Sequence, residues 1–150
     1  AVRQHQIELV DFDTLLSRSD FVSVHAPNTP DTRGLFNKSA FAKMKPGSIF
    51  LNTARGPLMV EADLLAALKS GHLAAAGLDV FETEPPSADN PLFQLENVVV
   101  SPHIAGADET SLVAMGVEAA NCIASLYRGI WPEGAVVNAE LRERFRWQRS

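Results

Sequence analysis

Arg55, Glu84 and His103 are the residues whose types and settings could do chemistry in this chain. A planar guanidinium answers a carboxylate by pairing with both of its oxygens. A histidine side chain, with an ordinary pKa of about 6.5, can give and take a proton near neutral pH. A carboxylate beside a histidine is a familiar way to tune such a base. Asp79 joins this group because it stands in the apolar stretch AAGLDV, where a carboxylate needs a partner. Each residue also has a plainer reading. Arg55, before Gly56, could be a surface charge in a turn, and Glu84, before Pro85-Pro86, a solvated loop acid. His103, after Pro102, could be a hydrogen-bonded core histidine, and His25 could simply cap the next turn. His5 and His72 have only plain readings, one at the start of the chain and one beside Gly71.

The elements that must position these residues follow a regular rhythm. Four short apolar, β-branched runs read as buried strands: Phe21 to His25, Ser48 to Asn52, Ala75 to Val80 and Val98 to Ser101. Their starts lie roughly 25 residues apart, the spacing of β-α units in a parallel sheet. Helix signals fill the gaps. Asp11 can cap a helix to about Arg18, Thr29 one that opens with Pro30, and Asn37 one that Pro46 and Gly47 stop. Leucines at 64, 65 and 68 form an apolar stripe in Glu61 to Lys69, which Gly71 ends. The longest helix should run from about Asp108 to Tyr127, burying one face through Leu112, Met115, Ile123 and Leu126. Glu82 to Pro91 is a loop rich in Pro and Asp. In an open parallel sheet, ligands bind at the carboxyl ends of the strands. That rim is where Arg55, Asp79, Glu84, His25 and His103 all fall.

Composition removes other classes. With 150 residues, 46% of them hydrophobic and 21% charged, the chain has the make-up of one ordinary globular domain. The net charge of −5 and scattered basic residues argue against a nucleic-acid partner, which demands a concentrated basic face. The arginines from Arg142 to Arg149 are interleaved with acids and read as a solvated helix or frayed end. Cys122 is the one cysteine, which excludes an internal disulfide, suits a reducing cytosol and reads as a small core residue. No apolar run approaches the roughly 20 residues of a membrane helix, and the first residues lack a signal-peptide pattern. Neither a zinc-type ligand spacing nor a G-x-S-x-G elbow occurs, so no metal site and no serine hydrolase is expected.

The segments NTARGPLMVEADLLAALKSGHLAAAGLDVFETEPP and NVVVSPHIAG resemble the D-isomer-specific 2-hydroxyacid dehydrogenases, and DFDTLLSRSDFVSVHAPNTPDTRGLFN fits the same family. The resemblance runs from about residue 8 to residue 140. It implies an NAD(P)-dependent oxidoreductase that interconverts a D-2-hydroxy acid and its 2-oxo acid by hydride transfer. Arg55 would hold the substrate carboxylate, His103 would be the general acid/base, and Glu84 would hydrogen-bond and orient His103. Asp79 would contact the nicotinamide end of the cofactor. Pro27, Thr53, Ala54, Arg55, His103, Ile104, Ala105 and Gly106 would line the cofactor site. Residues 1–106 would be a partial dinucleotide-binding domain, and residues 107–150 a returning helix and tail of the substrate domain. A homodimer in the cytoplasm is the corresponding expectation.

The fold class expected is α/β, a partial Rossmann-type parallel sheet without its Gly-rich first βαβ unit. No G-x-G-x-x-G occurs, and the acid that meets the ribose is also missing, so NAD is the expectation with NADP open. In the usual strand order the Gly-rich strand lies beside the place that Phe21 to His25 would take. An apolar strand edge is then left to pair, either with another copy or with more of a longer protein. Pyrophosphate binding and turnover by the chain alone should be weak. Two other readings stand beside the enzyme: a nucleotide-sensing, corepressor-like binding module, and an inactive truncated remnant. The substrate itself is not written in these residues.

Overall fold

A computed structural model describes residues 7–146, which form two compact units divided between Ala105 and Gly106. The first unit holds one sheet of four strands, β1 (Phe21–Val24), β2 (Ile49–Asn52), β3 (Ala75–Leu78) and β4 (Val98–Val100). They lie side by side in chain order and every pair is parallel. The strands stop one or two residues short of the expected runs, because Asp79 and Ser101 already belong to the rim. Parallel neighbours need a crossover. Helices α2 (Lys38–Lys43) and α3 (Glu61–Lys69) supply the first two, and a loop with a 3-10 turn at Pro91–Gln94 supplies the third. Helix α1 (Phe12–Arg18) precedes β1 and packs beside α2, which packs beside α3.

Local chemistry explains most helix ends. The Asp11 carboxylate accepts from Thr14 N at 2.8 Å, and the Asn37 amide oxygen accepts from Ser39 and Ala40. Such caps stabilise a helix by roughly 1 kcal/mol. Gly71, at φ +74°, ends α3 in the left-handed conformation that favours glycine. The helix expected at Thr29-Pro30 does not form. Its backbone makes a single turn, Arg33 N to Thr29 O at 3.0 Å, and Gly34 at φ +64° breaks it. The Thr32 hydroxyl also bonds to Pro27 O, which draws the segment into a loop rather than a helix.

The core lies on one face of the sheet. Val22, Val24, Phe50, Ala76 and Leu78 alternate along the strands and are buried with Leu16, Phe41, Leu64 and Leu68 from the helices. The rings of Phe41 and Phe50 meet edge-on at 5.2 Å. Burying each such side chain stabilises the fold by about 1.5–3 kcal/mol. The opposite face is more open, with Phe21 and Val99 exposed. Among the described residues β1 has one strand neighbour, so its other edge is bare, as the sequence leads one to expect.

In the second unit, α4 (Glu109–Tyr127) starts from an Asp108 cap and ends at Gly129, φ +75°. The expected buried face is not found. No residue of α4 is buried, and Leu112, Met115 and Ile123 are exposed. Cys122 is likewise half-exposed rather than a core residue. One helix with a short tail has too little mass of its own to cover an apolar stripe. The tail makes an edge-on Trp131–Phe145 contact at 5.5 Å and an exposed Arg142–Glu133 ion pair at 2.6 Å. Arg144 and Arg146 are exposed in the same tail, and residues 147–150, like His5, lie outside the described residues. No described helix is long and apolar enough to cross a membrane.

Candidate active site

Each strand ends in a loop that carries one of the residues in question. After β2 comes Asn52, fully buried at the strand's last position. Its Oδ1 accepts from Ala54 N at 3.0 Å and its Nδ2 donates to Arg55 O at 3.0 Å. The backbone then enters a 3-10 turn, Gly56–Leu58, and Arg55 points outward, exposed, with Nη1 donating to Ala54 O at 2.6 Å. Gly56 is buried against the next loop. A Cβ built on it would lie 1.8 Å from the carbonyl oxygen of Phe81, so only glycine permits this approach.

After β3, Asp79 is 3% exposed and takes part in four hydrogen bonds to the β4 loop. Its carboxylate accepts from Ser101 Oγ at 2.5 Å, Ile104 N at 2.9 Å and Ala105 N at 2.8 Å, and its carbonyl accepts from His103 N at 2.9 Å. Burial raises the Asp79 pKa, but the bonds from Ser101, Ala105 and Ile104 outweigh it, and the net shift is downward. Two residues beyond buried Phe81 and exposed Glu82, the chain reaches Glu84, followed by a cis bond to Pro85. Glu84 Oε1 accepts from Phe81 N at 3.0 Å, and Oε2 meets His103 Nδ1 at 2.7 Å. The Phe81 amide, then the His103 ring, hold the Glu84 carboxyl below the ordinary range, with a smaller pull from the Arg55 charge.

His103 has φ +55°, a left-handed conformation that is uncommon outside glycine. Strain of this kind persists only where surrounding contacts hold it, and here the Asp79 bonds and Glu84 do so. With Nδ1 taken by Glu84, Nε2 is left for a ligand, and the side chain is 47% exposed. A hollow of about 410 Å³ opens beside the pair, walled largely by Phe81, Pro85, Pro86, Phe93, Val100 and Pro102.

Tertiary structure thus brings Arg55, Asp79, Glu84 and His103 to one rim. Pro27, Thr53, Ala54, Ile104 and Ala105 lie on the same set of loops, past the ends of β1, β2 and β4. Gly106 opens the second unit. His25 does not cap the following turn; its Nε2 turns back to Ser23 Oγ at 2.9 Å. His72 bonds to Phe41 O at 3.0 Å. Asn52, Ser101 and Gly56 were not singled out in the sequence. A buried polar residue ending an apolar strand signals a need for partners, which would have found Asn52. Nothing local marks the Gly56 contact.

The family model for the NAD-binding domain of the D-isomer-specific 2-hydroxyacid dehydrogenases matches residues 1–105. A D-3-phosphoglycerate dehydrogenase of Archaeoglobus fulgidus is 48% identical over 130 residues, covering 87% of this chain and 25% of the relative. A hydroxypyruvate reductase of Blautia hydrogenotrophica is 50% identical over 111 residues, covering 74% of this chain and 34% of the relative. The chain therefore spans between a quarter and about a third of the length of these relatives. A crystal structure of a D-isomer-specific 2-hydroxyacid dehydrogenase from Xanthobacter autotrophicus Py2, in complex with NADPH and MES, superposes with a TM-score of 0.71 at 40% identity. That match covers 79% of this chain and 48% of the other. The chain belongs to the D-isomer-specific 2-hydroxyacid dehydrogenase family, through the NAD-binding domain that its residues 1–105 match.

Proposed function

We propose that this chain carries the acid–base and carboxylate-binding half of an NAD(P)-dependent oxidoreductase that interconverts a D-2-hydroxy acid and its 2-oxo acid. The observation that carries this reading is the 2.7 Å His103–Glu84 pair on the same rim as an outward-pointing Arg55. The Arg55 guanidinium pairs with the substrate carboxylate in a fork that fixes which way the substrate lies. His103 Nε2 donates a proton to the carbonyl oxygen during reduction and takes it back from the hydroxyl during oxidation. Glu84 holds Nδ1, so the ring presents Nε2 outward. A nicotinamide bound beside these loops would supply the hydride chemistry at the substrate's C2.

The donor set suits the nicotinamide end of such a cofactor. The exposed Thr53, with Ala54, stands beyond β2, Pro27 beyond β1, and the exposed Ile104 beyond β4. The Asp79 carboxylate and the Ile104 and Ala105 amides are already paired with one another. Asp79 shapes this loop, and its remaining acceptor capacity would meet the nicotinamide end of the cofactor. Residues 107–150 are a returning helix and tail of a substrate domain in this reading. The names of the relatives favour a short, polar 2-oxo acid such as hydroxypyruvate. A homodimer in the cytoplasm completes the reading.

The test is oxidation of NADH and NADPH against a panel of 2-oxo acids, with a form extended upstream by a Gly-rich nucleotide-binding unit. His103→Ala should lower kcat by about 100-fold or more. An extended form that binds the nucleotide and reduces no 2-oxo acid would sink the proposal.

A further inference from the structure

We propose that Asn52 is a positioning residue for Arg55, setting the guanidinium relative to the Glu84–His103 pair; this rests on Arg55 being the carboxylate ligand. Arg55 itself is exposed and long, and ordering such a side chain costs about 1.5–2 kcal/mol of rotamer freedom. Its guanidinium bonds to the carbonyl of Ala54 at 2.6 Å. Ala54 is held in turn, because its N–H donates to Asn52 Oδ1 at 3.0 Å. The other arm of the Asn52 amide takes Arg55 O at 3.0 Å. One buried side chain thus grips the backbone on both sides of the Arg55 Cα, leaving the residue extended at φ −149°, ψ 138°.

Downstream the grip continues by contact rather than by hydrogen bond. Gly56 is seated on the Phe81 peptide, and the N–H of Phe81 holds Glu84 Oε1 at 3.0 Å. Glu84 is thus anchored by its own loop, through the Phe81 amide, and what Asn52 sets is the guanidinium relative to the Glu84–His103 pair. An asparagine is needed because the position demands one acceptor and one donor at once. Aspartate would face the Arg55 carbonyl with a buried negative oxygen, and alanine would leave the Ala54 N–H without its partner.

The experiment is NMR of the 150-residue chain and its Asn52→Ala and Asn52→Ser variants, titrated with oxamate as a 2-oxo acid mimic. With both Asn52 bonds gone, Asn52→Ala should raise the oxamate dissociation constant roughly 10-fold or more. The Ala54 amide should exchange at least about 10-fold faster, and the Arg55 Nε–Hε signal should lose order. The His103 ring signals should stay where they are, a pattern that general unfolding could not produce. Asn52→Ser keeps one acceptor, should show a smaller loss, and serves if the alanine variant fails to fold. Unchanged Arg55 order, or unchanged oxamate affinity beside wild-type binding, overturns the inference. A wild-type chain that shows no oxamate binding at all counts against the carboxylate role of Arg55, and the Arg55 order and Ala54 exchange then decide the positioning alone.

Discussion

Gly56→Ala adds one methyl group at the seam between the two loops that carry Arg55 and Glu84. The added carbon would lie 1.8 Å from the Phe81 oxygen, 1.9 Å from its carbon and 2.6 Å from Glu82 N. Ordinary contact begins near 3.4 Å, so the two backbones must part by about 1.6 Å, and close-packed interiors do not yield that freely. The neighbour is main chain rather than the end of a flexible side chain. The cost should therefore reach the upper part of the about 1–3 kcal/mol typical of overpacking. For a unit of this size that lowers Tm by roughly 10 °C or more. The same displacement carries Phe81 N away from Glu84, and misplacement by about 1 Å can cost on the order of 100-fold in rate. Calorimetry of the chain and kcat/KM of the extended form measure the two effects. Gly116→Ala is the control, since it adds the same methyl within α4 with nothing inside 4 Å. It should be neutral or stabilising by about 0.5–1 kcal/mol. A Gly56→Ala variant within about 2 °C of wild type, at undiminished kcat/KM, would refute the reasoning.

Two further outcomes follow from the charges on the rim. Asp79→Asn leaves one of the Ile104 and Ala105 amides facing a donor, at about 1–3 kcal/mol. Because the folded carboxyl is held below its ordinary range, its contribution is full above roughly pH 4 and is lost as pH falls through the folded value. The Tm gap between wild type and Asp79→Asn should therefore be wide at pH 7 and close in acid, and a gap that widens in acid contradicts this sign. Glu84→Gln removes the charge beside His103 but keeps an acceptor for Phe81 N, so kcat should fall about 100-fold while Tm changes little. Equal kcat in the two proteins would show that the 2.7 Å pair is idle.

Helix starts and stops were legible because they depend on neighbours within one turn. Asp11, Asn37 and Asp108 cap the helices that follow them, and Gly71 and Gly129 take the left-handed φ that ends one. The four strands and their parallel order were legible from apolar runs at a βα spacing, and that order alone brings Arg55, Glu84 and His103 to one rim. At Thr29-Pro30 the same local signal failed. There a hydroxyl bond to Pro27 O and a glycine at position 34 compete with the helix, and a cap residue before proline does not report either. The apolar stripe of α4 announced a face to bury, but not what would bury it.

Tertiary structure decided the rest. Glu84 and His103 stand 19 residues apart in the chain, and their 2.7 Å contact depends on where β3 and β4 end in register. The left-handed backbone of His103 is held by bonds from Asp79, 24 positions earlier, to its own and neighbouring amides. Gly56 looks in the sequence like any turn glycine, yet it is required because another loop's carbonyl arrives where a Cβ would be. Residue type and periodicity are properties of neighbours along the chain, so they specify elements and their order. Contact distances between loops arise only when the core sets each strand's height against the next, and the chemistry of this rim depends on those distances.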